Sequence, residues 1–502
     1  MLVPLTLISF FLNLGLQPIY MEEPRRALVA MEMILNGNYW VPTEFGIPYY
    51  NKPPLYNWLL CSVFNITGSY SEFNLRVISV VSFILLGFVH FIFTRKYMGL
   101  RFAAISSLLL LISVDIYFYF SLTGEIDLFY SLLVYCNIAV IYYFVDKQRY
   151  YVMFILAYFI AALGMLTKSF PSVLFLGISL LIALSLKKKL AKLFSLAHVA
   201  GFLVFAIVIA SYLFVYSRMH DLDLLINGLW VDSSKRTVLE GAGNALLTQL
   251  VNFPLEVLKN MLPASLLLVF AFSSKNIRNS PFILFSLLIF LFNSLIYWIS
   301  PDAKQRYIYA LYPFLANVFL FLYDDTAKQW KETYLRVIGW IVVIGGLAGC
   351  VSIAFIPQFS GTGAIAIVSA AVAAFLLILH YRKTIHPLLM IAGMFVLLRM
   401  VFDLTVLPLR AHDEHASVRK HDGIEIARIA GKEPVYLFQN SHISNGMVYY
   451  IVRESLQPVN RVYNPELPGY FLIEEKYFDE LDYTSYYESA LRDVRFRLVK
   501  FK

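Results

Sequence analysis

Glu22-Glu23-Pro24-Arg25-Arg26 and, further along, Tyr49-Tyr50-Asn51-Lys52-Pro53-Pro54 frame the first polar stretch of an otherwise strongly apolar chain. An apolar run over residues 2–19 precedes them, and many more runs follow. The first run lacks the basic leading region and small-residue cleavage site of a secretory signal, so it reads as a retained membrane span. Two adjacent acids and a proline-locked lysine thus sit in a loop, residues 20–74, held between spans.

The rest of the chain agrees with that placement. Its 502 residues are 59% apolar and 15% charged, with a mean hydropathy of +0.67. A soluble globular chain is nearer ~25% charged. The fold class is therefore a polytopic α-helical membrane protein. Apolar runs near 75–94, 102–121, 126–145, 151–167, 171–186, 195–216, 257–273, 281–299, 307–323, 335–356, 364–381 and 387–407 join the first to make about thirteen expected spans. The net charge of +8 points to membrane head groups and span orientation rather than nucleic acid. Cys61, Cys136 and Cys350 lie far apart in apolar segments and read as packing residues.

Alternate loops carry the basic residues. Arg95, Lys96 and Arg101, then Lys147 and Arg149, Lys187–Lys189 with Lys192, Lys275 and Arg278, Lys328, Lys331 and Arg336, and Arg382 with Lys383 form one set. The positive-inside rule puts that set in the cytoplasm. The first loop, residues 217–256 and everything after 407 then face outward. Arg25, Arg26, Lys52, Lys168, Lys235, Arg236, Lys304 and Arg306 stand outside against the rule, and a basic rim for an anionic lipid head group would account for them.

Within the first loop, Glu22, Glu23 and Pro24 suit a first helical turn. Ala27, Leu28, Met31, Ile34 and Leu35 recur at helical spacing, and Asn36-Gly37-Asn38 stops the helix. This helix is expected to lie flat on the outer membrane surface. A second short helix is expected over 55–64. Residues 1–407 read as one transmembrane domain and 408–502 as a small extracytoplasmic α/β domain, with helices over 416–430 and 445–453 and strands over 435–438, 470–473 and 494–501.

Several residues could carry chemistry. Glu22 or Glu23 could act as a general base or hold a cation. Lys52, stiffened by Pro53-Pro54, could present a point charge to a phosphate. Arg306, beside Lys304, suits bidentate phosphate contact. Lys168 sits in another short outer loop, and Glu125 and Asp127 at the outer start of a span could line the same space. His412, His415 and His421 have no metal-ligand spacing.

These motifs resemble a known family. Glu22-Glu23-Pro24-Arg25-Arg26-Ala27, Asn36-Gly37-Asn38-Tyr39-Trp40-Val41-Pro42 and Tyr49-Tyr50-Asn51-Lys52-Pro53-Pro54-Leu55-Tyr56 are similar to the first periplasmic loop of bacterial C-type (GT-C) glycosyltransferases. The aminoarabinose transferases that modify lipid A are the nearest likeness, and the protein O-mannosyltransferases a more distant one. Residues 163–168 and Arg306-Tyr307 resemble later outer loops of the same family. The resemblance implies the GT-C fold in the cytoplasmic membrane, with the active site on the periplasmic face. It implies inverting transfer of a sugar from a polyprenyl-phosphate donor to a lipid A-, glycan- or protein-type acceptor. By position it matches Glu22 and Glu23 to the acids of the catalytic loop, Arg25 to the family's arginine, Lys52 to the donor-phosphate lysine and Arg306 to a lipid-phosphate contact; Tyr50, Lys168, Lys304, Glu125 and Asp127 join them as candidate substrate-binding residues. A divalent metal near Glu22 is compatible with it, but Asn51 stands where aminoarabinose transferases typically carry an acid, so no metal ligand is assigned. The rival reading from another class is a transporter or flippase of a lipid-linked sugar. It would need midplane charges or broken helices in repeated halves, and the sequence shows no repeat.

Overall fold

The computed structural model describes residues 2–502 except 235–242, 273–275, 301–302, 357–358, 360, 413, 480 and 492–493. Lys235, Arg236 and Lys275 lie outside the described residues. Among those described, nine helices are long and apolar enough to cross a membrane, or ten if the bent pair Leu246–Asn260 and Ala264–Phe272 forms one span. Each of the thirteen apolar runs overlaps a helical segment, but not one to one. The 40-residue helix Glu72–Leu111 takes up the second run and the start of the third, and it kinks at Gly99. Leu2–Phe11 and Pro171–Leu186 are apolar but fall short of a full span. Helix Leu196–Ser217 is mostly unburied, and Val199, Phe202, Leu203, Ile207 and Phe214 are exposed. A surface that apolar suits contact with hydrocarbon.

Charged side chains also lie inside the bundle. Arg399 donates through Nε to Asp403 Oδ2 at 2.8 Å, one helical turn along Pro387–Ala411, and both are buried. Arg399 also reaches Ser121 Oγ at 3.2 Å, and Asn13 Nδ2 donates to the Asp403 carbonyl at 2.7 Å. The pair thus ties the last long helix to the chain's start and to the segment just before Glu125.

The first polar loop forms helix Glu23–Asn36, with Pro24 in the first turn. It ends where Gly37 takes a left-handed φ of 65° and returns its N–H to Ile34 O, a conformation that glycine adopts without steric cost. The expectation that this helix lies flat on the membrane surface is not met. Ala27 through Met33 are buried all round, Glu32 included. Helix Leu55–Thr67 packs on one side and helix Asn445–Ser455 of the C-terminal domain on another. The apolar stripe meets protein rather than lipid, and the polar face is buried beneath a second domain.

The C-terminal segment folds as a sheet with two helices on it. Strands run in the order Asn460–Val462, Val435–Phe438, Tyr470–Glu474, Val494–Phe501 and Tyr483–Leu491. The first three are parallel and the last two antiparallel. Helix Asn445–Ser455 is the crossover that parallel neighbours require. Strands Asn460–Val462 and Tyr483–Leu491 were not foreseen. The first is three residues long, and the second, Tyr-Thr-Ser-Tyr-Tyr-Glu-Ser-Ala-Leu, has too little apolar alternation to signal itself.

Candidate active site

Four separate parts of the chain converge on one small cavity of about 120 Å³. The first loop contributes Glu22, Arg25, Arg26, Tyr49, Asn51 and Lys52; the start of helix Ile126–Asp146 contributes Glu125 and Asp127; Lys168, Arg306 and Tyr307 complete the lining. The basic residues of the other set of loops gather elsewhere. Arg101, Lys331, Arg336 and Lys383 line a different cavity of about 1160 Å³. These four residues of one charge set thus line a different cavity from Arg25, Arg26, Lys52, Lys168 and Arg306 of the other.

Adjacent acids have opposite fates. Glu22 is about a third exposed and accepts a hydrogen bond from Arg25 at 2.8 Å. Glu23 points away and is fully buried. Its carboxylate accepts from Arg76 Nε at 2.8 Å and Nη2 at 3.0 Å, from the Gly124 N–H at 2.6 Å and from the Tyr20 N–H at 3.0 Å. Glu23 therefore does not line the cavity; it pins the helix start to the strand of chain that leads into Glu125. A side chain at position 124 would come within 2.9 Å of the Leu75 carbonyl, so only glycine allows that approach.

Cations and carboxylates alternate around the cavity. Lys168 donates to Asp127, and both are buried. The Lys168 ammonium also lies 4.4 Å from the Tyr307 ring centre. Arg306 sits 3.7 Å from Asp127 Oδ2 and 3.9 Å from Glu125 Oε1, close enough for attraction and too far for hydrogen bonds. Its Nε–H is buried with no hydrogen-bond partner among the described residues. Lys52 is 5% exposed and donates to the Asn51 carbonyl at 2.9 Å. Arg26 donates to Tyr49 Oη at 2.9 Å; burial opposes its charge, but Tyr49, Glu125 and Glu22 more than offset this and raise its pKa.

Glu125 accepts the Glu22 N–H at 3.3 Å. Burial, and then the neighbouring Asp127 charge, push its carboxyl from the usual 4.5 up to about 7, against the pull of Arg306 and Arg26. The folded protein then holds a proton that the unfolded chain releases. Stability should fall as pH rises from about 4.5 to about 7 and level off above that range. Thermal unfolding of the wild type and Glu125→Gln over this range checks the point. The variant should lack that part of the slope, and identical slopes would refute the assignment.

Not every residue expected here is present. Tyr50 turns away and bonds His220 Nε2 through its hydroxyl at 3.2 Å. Lys304 is exposed and outside the lining. Lys168 sits in the last turn of helix Tyr150–Lys168 rather than in a loop. Arg26, Tyr49, Asn51 and Tyr307 also line the cavity; of these only Arg26 was expected among the outer cations. The sign of Arg26 was visible, as a cation on the wrong side of the charge rule. Among the described residues no group of three His, Cys, Asp or Glu side chains could hold a metal ion. Each cavity carboxylate faces a cation.

Known proteins bear on this arrangement. Residues 51–214 match the family described as dolichyl-phosphate-mannose-protein mannosyltransferase. That span takes in Lys52, Glu125, Asp127 and Lys168 and leaves out Glu22 and Arg306. An uncharacterized protein of Aquifex aeolicus (strain VF5) is 25% identical over 364 residues, 69% of this chain and 68% of that one. The crystal structure of ArnT from Cupriavidus metallidurans bound to undecaprenyl phosphate superposes with a TM-score of 0.73 at 16% identity, covering 99% of this chain and 97% of that one. Its apo state gives 0.72 at 16% identity, over 99% and 96%.

The chain has the ArnT-like GT-C fold. In it the first loop and the start of helix Ile126–Asp146, far apart in sequence, form one polar cavity at one end of the bundle.

Proposed function

We propose that this protein is an inverting glycosyltransferase. It moves a sugar from a polyprenyl-phosphate donor to a lipid A-, glycan- or protein-type acceptor on the outer face of the cytoplasmic membrane. The observation that carries the reading is the meeting of Lys52, Lys168, Arg306 and Arg26 with Glu22, Glu125 and Asp127 around one cavity. The undecaprenyl phosphate bound by the ArnT neighbour supports the donor class, and the charge pattern of the loops supports the outward orientation.

The leaving group of such a donor is already a phosphate, so catalysis needs charge stabilisation and placement more than activation. Lys52 and Arg306 hold the departing phosphate. Asp127 holds the Lys168 ammonium, and Glu125 lies against Arg306 on the other side. Glu22, the carboxylate with most access to solvent, accepts the proton of an acceptor hydroxyl. The bond from the anomeric carbon to the phosphate oxygen breaks as the bond to the acceptor oxygen forms. The lipid phosphate leaves as an anion, and the proton passes from Glu22 to water.

Deletion of the protein should remove one glycosylated envelope component and cause a polyprenyl-phosphate sugar to accumulate, both read by mass spectrometry. The purified chain, given that donor and membranes from the deletion strain, should restore the component. A deletion strain with an unchanged envelope and lipid pool would overturn the reading.

A further inference from the structure

The C-terminal domain grips the catalytic loop along the hairpin of Thr43–Glu44 and Ile47–Pro48. Glu32 holds that hairpin from within, accepting from Thr43 Oγ1 at 2.6 Å, the Phe45 N–H at 2.6 Å and the Gly46 N–H at 3.1 Å. From the other side, the Arg461 N–H donates to the Phe45 carbonyl at 2.8 Å. The Arg461 guanidinium lies 5.8 Å from the Phe45 ring centre. Gly46 has a φ of +73°, and a side chain there would meet Asn460 Oδ1 at 2.5 Å. The hairpin is therefore clamped between two domains.

Glu44, on this hairpin, joins the C-terminal domain to the acid at the site. Its Oε1 accepts from Asn445 Nδ2 at 2.7 Å and from Arg25 Nε at 3.0 Å. Arg25 Nη1 then reaches Glu22 Oε2 at 2.8 Å. A second cavity of about 290 Å³ lies beside this chain of contacts. Glu22 and Arg25 line it on one side, and Arg419, Ser444 and Asn445 on the other. Glu22 and Arg25 are thus shared between two cavities: one holds Lys52, Lys168 and Arg306, and the other is closed by the C-terminal domain.

Inversion needs the entering oxygen and the leaving phosphate on opposite sides of the anomeric carbon, with Glu22 near the entering one. We propose that the second cavity is the acceptor subsite. It takes the polar head of the acceptor, and Asn445 is a positioning residue that sets Glu22 through Glu44 and Arg25. The inference rests on the glycosyl-transfer reading above. It gives the C-terminal domain a direct part in the reaction, since without Asn445 the Glu44 carboxylate loses a donor and Arg25 loses its fixed partner.

The test uses the full chain and two variants. Asn445→Ala should slow transfer to acceptor in membranes of the deletion strain by roughly ten- to a hundredfold. Its affinity for undecaprenyl phosphate should stay unchanged, and Asn445→Gln should recover part of the rate. Ser444→Trp, which fills the second cavity without breaking the hydrogen-bond chain, should block transfer and also spare undecaprenyl phosphate binding. Wild-type transfer by Ser444→Trp would dispose of the acceptor subsite, and wild-type transfer by Asn445→Ala would dispose of the positioning role. A parallel fall in undecaprenyl phosphate affinity would instead mark a general collapse of the site and overturn the proposal. If the wild-type chain itself shows no transfer, the underlying reading fails and takes this one with it.

Discussion

Glu22→Gln should lower glycosyl transfer by about 10²- to 10⁴-fold, the usual contribution of a positioned general base, while leaving the fold intact. The glutamine keeps the volume of the side chain and can still meet Arg25, but it cannot take a proton from an acceptor hydroxyl. The Glu22–Arg25 pair is about a third exposed on both sides, and a pair so solvated is worth only about 0–1 kcal/mol. Lys52→Ala should fail differently. It removes a nearly buried ammonium from the cavity, so undecaprenyl phosphate should bind more weakly as transfer drops. Transfer rate, undecaprenyl phosphate affinity and thermal unfolding of the same preparations separate the two effects. Wild-type turnover by both variants would falsify the assignment of the site.

Glu23→Gln, one residue along, should behave in the opposite way. It should destabilise the protein by about 3–5 kcal/mol, the cost of breaking a buried ion pair. Arg76 and Glu23 are 1% and 0% exposed. Besides Glu23, the Arg76 guanidinium meets only the Leu14 and Pro18 carbonyls among the described residues, at 2.8 and 3.2 Å. Without the carboxylate its charge stays buried and uncompensated. Replacing both residues, as Glu23→Gln with Arg76→Met, should recover part of the loss, because the stranded charge is then gone too. Unfolding in detergent measures each variant. A Glu23→Gln protein within about 0.5 kcal/mol of wild type would place it among ordinary surface changes and contradict the clamp.

These two acids show where sequence reasoning stops. Adjacent residues at a helix start point in directions far apart around the helix axis, so Glu22 and Glu23 could not be told apart by position. What separated them was Arg76, in another helix, and Gly124, between two more. The same holds for the first helix. Its apolar stripe was legible and so were its ends, because Pro24 and Gly37 act locally. That this helix is buried all round was decided in part by helix Asn445–Ser455, more than four hundred residues further on.

The sequence by itself determined the apolar helices, the ends of the first-loop helix and most strands of the C-terminal sheet. Each depends on periodicity, backbone conformation or the cost of charge near lipid, and those act over a few neighbouring residues. Its charge pattern also put Arg101, Lys331, Arg336 and Lys383 in one set and Arg25, Arg26, Lys52, Lys168 and Arg306 in another, and these two groups line different cavities. Only the tertiary structure decided which of the two paired acids opens on the cavity, that Tyr50 and Lys304 stay out of it, and that Arg26, Tyr49 and Asn51 belong to it. Only the tertiary structure brought Asn445 to Glu44. The physical reason is the same in every case: a buried charge goes where its partner is, and that partner comes from a distant part of the chain.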